Sequence, residues 1–424
     1  MSAPYALAPL LTHGGAPQMV VGAGAAARAM PRIGSREHGM LLIDARILDR
    51  HPQLGSRMRR VFRVDPDTAC QDGLLEKLAT EIGQDDSERG VDGVSLAPGA
   101  GHIVGIGGGS VLDAAKLLRL RLLSASSFRT ARQGARSFGV SMLPDTWGRS
   151  ASRLTLMPST LGTGSEVSAV ACLHDDDQGG RSRRLVVGSL MRADTVVLDT
   201  VLTGSLDDGA VREGAAEILL RLIGGFVGSP ARRVPDAAAE ELVARVCGAA
   251  AIGVREGFTA SLRETLALAS AETHTGWALV GRSPFGAKHW YLANELSSAA
   301  GLRKVPVTLG LLPAIWQRIV DGDGRLGDAD RLRRLWCIVA RVLALPDDPV
   351  RGAAEWARAW EIAVPLIAAD VARTAARRCS EIWGGRRPAL QGLTEADIAA
   401  IYAAAPPAAP TVEPSERKRK EVNR

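Results

Sequence analysis

Residues 105–116 read GIGGGSVLDAAK, and this stretch constrains the fold more than any other. An apolar run, HIVGI, leads into three consecutive glycines, Gly107, Gly108 and Gly109. Ser110 follows, then a segment of helical character that carries Asp113 and Lys116. A strand that turns through bare glycines into a helix leaves free backbone N–H groups at the positive helix end. Such a turn accepts an anion, and the missing side chains let a pyrophosphate approach closely. A tight turn without a ligand is the alternative; three glycines and a serine in succession favour the anion site. Asp113 and Lys116 lie one turn further on, on the same helical side, as added cofactor contacts or as a surface ion pair.

The rest of the chain fits a strand-to-helix alternation up to about residue 205. MVVGAG (19–24), MLLID (40–44), HIVGI (102–106), RLTLMP (153–158) and TVVLD (195–199) read as strands. Their separation by helical segments predicts a mainly parallel sheet with crossover helices. Beyond residue 208 the pattern changes to long Ala-, Leu- and Arg-rich segments, such as DAAAEELVARVCGAAAIGVREGF and DADRLRRLWCIVARVLAL. The expectation is an α/β dinucleotide-binding domain over 1–207 and an all-helical domain over 208–403, with a disordered tail over 404–424.

The chain has 424 residues, enough for two domains, with 46% hydrophobic and 23% charged residues, an ordinary globular balance. Its net charge of +6 comes partly from the tail SERKRKEVNR. No aromatic or base-reading motif accompanies that run, so a solvated end is favoured over a nucleic-acid site. Five scattered cysteines form no CxxC pair, which disfavours a thiolate metal site and fits a reducing cytoplasm. The N-terminal stretch lacks a basic, long-apolar leader pattern, and no run is long enough to cross a membrane.

A second stretch, MPSTLGTGSEVS (157–168), supplies Ser159, Thr160, Thr163 and Ser165 together with Gly162 and Gly164 at a strand end. Small hydroxyl residues and glycines suit contacts to ribose and phosphate oxygens. GGGSVLDAAK and PSTLGTGSE together resemble the two signature segments of the iron-dependent (group III) alcohol dehydrogenases. Dehydroquinate synthases share the first segment but not the second. MVVGAGAAARAM, MLLIDARIL and ADTVVLDTVLTGSL also resemble that family, over roughly residues 15–315. The resemblance implies a nicotinamide cofactor in the cleft between a Rossmann-like domain and a helical domain, and a homodimer. Gly107, Gly108, Gly109 and Ser110 would hold its pyrophosphate, and Thr160, Thr163 and Ser165 would line the ribose side. Asp44 would accept hydrogen bonds from the adenosine ribose, favouring NAD over NADP. Arg46, two residues on, weighs the other way.

The chemistry departs from the family. Its metal-binding members use one Asp and three His, the first two spaced D-x-x-x-H on a helix. The matching positions here are Glu217, Arg221, His289 and Lys304, and a further family histidine falls near Asn294. Arginine has no lone pair to offer, lysine is normally charged, and two ligands are too few for a tight catalytic site. Metal binding is therefore not expected. Glu217 and Arg221, at i and i+4, are suited to an ion pair. Either the site has become a salt-bridged core, or Arg221 or Lys304 supplies the metal's charge beside a substrate oxygen. Two functions follow. One is an NAD(P)-dependent, metal-independent oxidoreductase, with His289 as general acid/base. The other is a non-catalytic cofactor-binding partner in a biosynthetic complex. The Ala-, Arg- and Gly-rich composition is typical of high-GC bacteria, and the divergent site is similar to that of dehydrogenase-like proteins of peptide natural-product pathways (the daptide type of ribosomal peptide).

Overall fold

The structure is a computed structural model that describes residues 17–34, 39–56, 58–88, 101–145, 152–177 and 180–405. Among the described residues nine strands run β1 (Gln18–Val21), β2 (Gly39–Asp44), β3 (Arg60–Val64), β4 (His102–Gly107), β5 (Val140–Met142), β6 (Arg153–Pro158), β7 (Val170–Asp177), β8 (Gly180–Val187) and β9 (Thr195–Leu198). Among them lie helices α1 (Ala25–Gly34), α2 (Ala45–Arg50), α3 (Asp72–Glu88), α4 (Gly109–Leu123) and α5 (Ala125–Phe138). After the short α6 (Thr200–Thr203) come α7 (Asp208–Val227), α8 (Arg233–Glu256), α9 (Ala260–Thr275), α10 (Lys288–Ala300) and α11 (Lys304–Val320). The chain closes with α12 (Ala329–Leu343), α13 (Pro349–Ala359), α14 (Ala369–Trp383) and α15 (Glu395–Ala403). The basic run at 415–424 lies outside the described residues.

Six strands form one sheet in the order β1-β9-β6-β4-β2-β3, with every pairing parallel. The five strands read from sequence are all in it. Their continuous apolar runs reflect burial on both faces. In β2, Met40 and Leu42 enter one core, while Leu41 and Ile43 enter another. The same alternation separates Leu156 from Met157 in β6, and Val196 from Val197 in β9. Sequence reading did not identify β3, nor the small second sheet β5-β8-β7, in which β7 and β8 form an antiparallel hairpin. Their residues, such as RVFRV and GRSRRLVV, carry too many arginines to resemble buried strands.

From Asp208 onward every described element is helical, around one apolar core that gathers Trp316, Trp336, Trp356 and Trp383. The small sheet is fastened to the helices by charge. Glu295 of α10 is fully buried and accepts from Arg184 Nη1 of β8 at 2.6 Å and from Trp383 Nε1 of α14 at 2.9 Å.

Candidate active site

Strand order fixes where a ligand can lie. The chain passes from β2 outward to β3, then returns to the other side of β2 as β4 and continues to β6 and β9. The order reverses between β2 and β4, and the crevice beyond the carboxyl ends of strands at such a point is where open α/β sheets bind ligands. Asp44 ends β2, the glycine turn follows β4, and Ser159 follows β6. Gly107 pairs with Pro158, and the Ser159 N–H donates to Gly107 O at 2.8 Å, so the two signature segments are joined.

Two glycine-bearing turns lead from this sheet into helices, and they differ in one respect. In the turn Gly22–Gly24, the Asp199 carboxylate accepts from the N–H groups of Gly24 (2.8 Å) and Ala26 (3.0 Å), and from Val201 N–H at 2.9 Å. The protein's own carboxylate fills that anion site. At the second turn Gly108 caps α4 without any side-chain hydrogen bond, and Gly108, Gly109 and Ser110 are half-buried. The first N–H groups of a helix have no intrahelical acceptor, so here they remain for a ligand. Thr160 Oγ1 is buried without a partner among the described residues, and a Cβ on Gly108 would lie 3.2 Å from Thr160 Cγ2. A Cβ on Gly109 would lie 3.1 Å from Thr163 Cγ2. An uncapped helix start beside an orphaned hydroxyl fits a pyrophosphate.

Other sequence-predicted contacts are engaged elsewhere. Lys116 is fully buried, and its Nζ donates to Val170 O (2.7 Å), Ser168 Oγ (3.2 Å) and Asp113 Oδ1 (3.2 Å). Asp113 also accepts from the Ser165 hydroxyl and from Cys172 N–H at 3.0 Å. This is neither a surface ion pair nor a cofactor contact. It is an internal tie that holds the second segment against α4, and it occupies Ser165 as well. Asp44 caps α2 and accepts from Arg46 N (2.9 Å), Nε (3.1 Å) and Nη2 (2.9 Å). A ribose hydroxyl must share that carboxylate with Arg46. The hydrogen bond to Asp44, and the charges of Asp67 and Asp65, raise the Arg46 pKa.

Glu217, Arg221, His289 and Lys304, expected from sequence at the metal-ligand positions, lie within electrostatic reach of one another, but not paired as the spacing suggested. Glu217 pairs with Lys304, Nζ to Oε1 at 2.8 Å, and both side chains are less than a quarter exposed. Arg221 turns away from Glu217. Its Nη2 donates to the carbonyls of Gly162 (2.6 Å) and Thr163 (2.7 Å), and its Nη1 donates to Thr273 Oγ1 at 3.1 Å. The expected i,i+4 ion pair is thus replaced by a pair across two helices and a clamp on the second segment. That clamp needs close approach: Gly162 (φ +91°) lies against Gly214 O of α7, and Gly164 (φ +63°) would place a Cβ 2.6 Å from the His274 ring of α9.

Electrostatics set what each group can do. Burial raises the Glu217 pKa, but the charges of Lys304 and Arg221 outweigh burial and hold it below the usual carboxylate value. Burial and then Lys304 push His289 down to about 4. Burial, with Arg221, Lys116 and Arg192, pushes His274 well below an ordinary imidazole. The depressed pKa favours the neutral imidazole of His289, the form that accepts rather than gives a proton, so of the general acid/base role expected from sequence it favours the base half. A divalent metal does not fit these residues. Glu217 already holds an ammonium, Arg221 has no lone pair, and His289 is the one remaining imidazole of the set. Among the described residues no group of three or more His, Cys, Asp or Glu is placed to hold a metal ion.

Sequence reading missed Asp199, Thr273 and His274. Nothing in the local sequence marks them, because each acts on a segment distant along the chain.

The class this geometry defines is a two-part fold in which a parallel α/β sheet meets a helical bundle. Residues 17–200 match the profile of the family described as iron-containing alcohol dehydrogenase. The chain is similar to a sulfoacetaldehyde reductase of Bilophila wadsworthia, 30% identical over 181 residues, which are 42% of this chain and 43% of that protein. It thus spans less than half the length of the curated relatives it matches first. In fold it is similar to an NADH-dependent butanol dehydrogenase of Thermotoga maritima (TM-score 0.70, 14% identity, covering 93% of this chain and 98% of that one). It is also similar to a sulfoacetaldehyde reductase of Bifidobacterium kashiwanohense solved with NAD+ (TM-score 0.68, 16% identity, covering 92% and 97%). The likeness to iron-containing alcohol dehydrogenases is thus one of sequence over residues 17–200 and one of fold over most of the chain.

Proposed function

We infer that the protein is a nicotinamide-dependent oxidoreductase that interconverts an alcohol and a carbonyl without a metal, using the Lys304–Glu217 pair where its relatives place one. The single observation that carries this is the 2.8 Å contact between Lys304 Nζ and Glu217 Oε1 at two of the four metal-ligand positions. A bound nicotinamide supplies or accepts the hydride. Lys304 polarises the carbonyl oxygen and gives it a proton as the alcohol forms; Glu217 keeps the ammonium oriented and stabilises its charge. Trp290 lies under the same ammonium, 5.3 Å from Nζ to its ring centroid, and limits water on that side. His289 acts as a neutral hydrogen-bonding group. Arg221, with its donors on protein oxygens, positions the second segment rather than the alkoxide.

Asp44, Asp65 and Asp67 around Arg46 support NAD over NADP, since three carboxylates oppose a 2′-phosphate and one guanidinium attracts it. The substrate is a small-molecule or peptide carbonyl, the peptide being that of a ribosomal natural-product pathway of the daptide type. A cytoplasmic homodimer completes the reading. Turnover of NADH with a panel of aldehydes and ketones, including C-terminal peptide ketones, tests it. Lys304→Met should abolish turnover and leave NADH binding. If the parent protein binds NADH and reduces nothing in the panel, the alternative of a non-catalytic cofactor-binding partner takes its place.

A further inference from the structure

We propose that Cys70 is a positioning residue for the cofactor: from the loop between β3 and α3, its thiol holds the first turn of α4 by the Ser110 carbonyl. The proposal rests on the dinucleotide reading above, in which that turn carries the pyrophosphate.

The loop, residues 65–71, is built from two successive turns. Thr68 N–H donates to Asp65 O at 3.1 Å, and Gln71 N–H donates to Thr68 O at 3.0 Å. One side of it is fixed by β7: His174 N–H donates to Cys70 O at 2.9 Å, and Gln71 pairs with His174 in a parallel bridge. From this fixed point the Cys70 thiol donates to Ser110 O at 2.8 Å. Cys70 is fully buried, in the same apolar core as Val111 and Leu112 of α4. Burial, and then Asp113, push the thiol well above its ordinary pKa and keep it a donor. At the other end of the loop, Asp65 and Asp67 act on Arg46, the partner of Asp44. One loop therefore reaches both the adenosine end and the pyrophosphate turn of the proposed site.

What the thiol holds is the part of α4 that has donors to spare. Val111 and Leu112 N–H both donate to Gly108 O, at 3.0 and 3.1 Å. The N–H groups ahead of them, on Gly109 and Ser110, have no intrahelical acceptor. Thr160 Oγ1, buried without a partner among the described residues, would lie 3.5 Å from a Cβ on Gly108. Two free N–H groups and a hydroxyl converge on one anion only while the turn keeps its shape, and consecutive glycines do little to keep it. A hydrogen bond from outside the helix, on the carbonyl of Ser110, supplies that restraint. Preorganisation of this kind, from one neutral hydrogen bond, is worth about fivefold in affinity.

The test is direct binding: NADH by its fluorescence, ADP and adenosine by competition against it. Cys70→Ala should weaken NADH and ADP about fivefold and adenosine, which lacks the pyrophosphate, less than about twofold. Cys70→Ser, which keeps a donor, should restore most of the affinity. Cys70→Val fills the space without a donor and should behave as Cys70→Ala; it carries the test if the alanine variant does not fold. Unchanged ADP affinity in a folded alanine or valine variant, an equal loss for ADP and adenosine, or a serine variant as weak as the alanine one overturns the proposal and leaves the dinucleotide site standing. A parent protein that binds neither NADH nor ADP overturns the dinucleotide reading as well.

Discussion

Lys304 and Glu217 depend on each other. Removing one member of a buried pair leaves the other charge uncompensated. With both side chains about one-fifth exposed, Lys304→Met should cost about 2 kcal/mol in urea unfolding and lower turnover about 10²-fold or more. Adding Glu217→Gln should restore most of the stability and none of the activity. His289 gives a pH test. Its folded pKa of about 4 lies below the unfolded value, so between about 6.5 and 4 the unfolded chain binds the extra proton. Stability from this residue is complete above about pH 6.5 and declines as pH falls toward 4, by about 3 kcal/mol in all. His289→Gln should flatten that decline, and its kcat should show no lost inflection near pH 6.5. An inflection there that vanishes in the variant would return the acid role to His289. Sequence identified these residues because their spacing matched a known ligand pattern. It could not assign their partners: Glu217 and Arg221 share a helix face, and yet α11 and the loop after β6 take one each.

Elements explain why one glycine turn is open and the other closed. Asp199→Ala should remove three hydrogen bonds from the α1 and α6 starts and cost about 2 kcal/mol, with no change in NADH affinity. Gly164→Ala should cost more, because its φ of +63° disfavours a side chain and the new methyl meets His274. It should also weaken NADH, since the displaced loop carries Thr163. Equal nucleotide affinity in the Gly164 variant would separate that loop from the site. Buried parallel strands announce themselves as apolar runs, and so β1, β2, β4, β6 and β9 were readable. The β7–β8 hairpin was not: its arginines are satisfied by tertiary partners such as Glu295, which lies 111 residues beyond Arg184.

At the scale of the molecule, the proposed site lies where the sheet's carboxyl edge meets the helical bundle, and Arg221, Gly162 and Gly164 hold that contact. The small sheet is tied to the bundle through Glu295. Glu295→Ala should strand Arg184 in the interior and lower unfolding stability by about 3–5 kcal/mol, with the loss read from the denaturant midpoint. The fold at this scale was visible in the change from alternating strands to continuous helices near residue 208. The interface was not visible, because it consists of backbone carbonyls and glycines that carry no side-chain pattern. The central claim is that a lysine–glutamate pair does the work of a metal in this cleft. Metal content and NADH-dependent carbonyl reduction, measured on one sample before and after exhaustive chelation, test it most directly. The account predicts metal far below one ion per chain and turnover unchanged by the chelator. Near-stoichiometric iron or zinc, with activity lost on its removal and regained on its return, would contradict it.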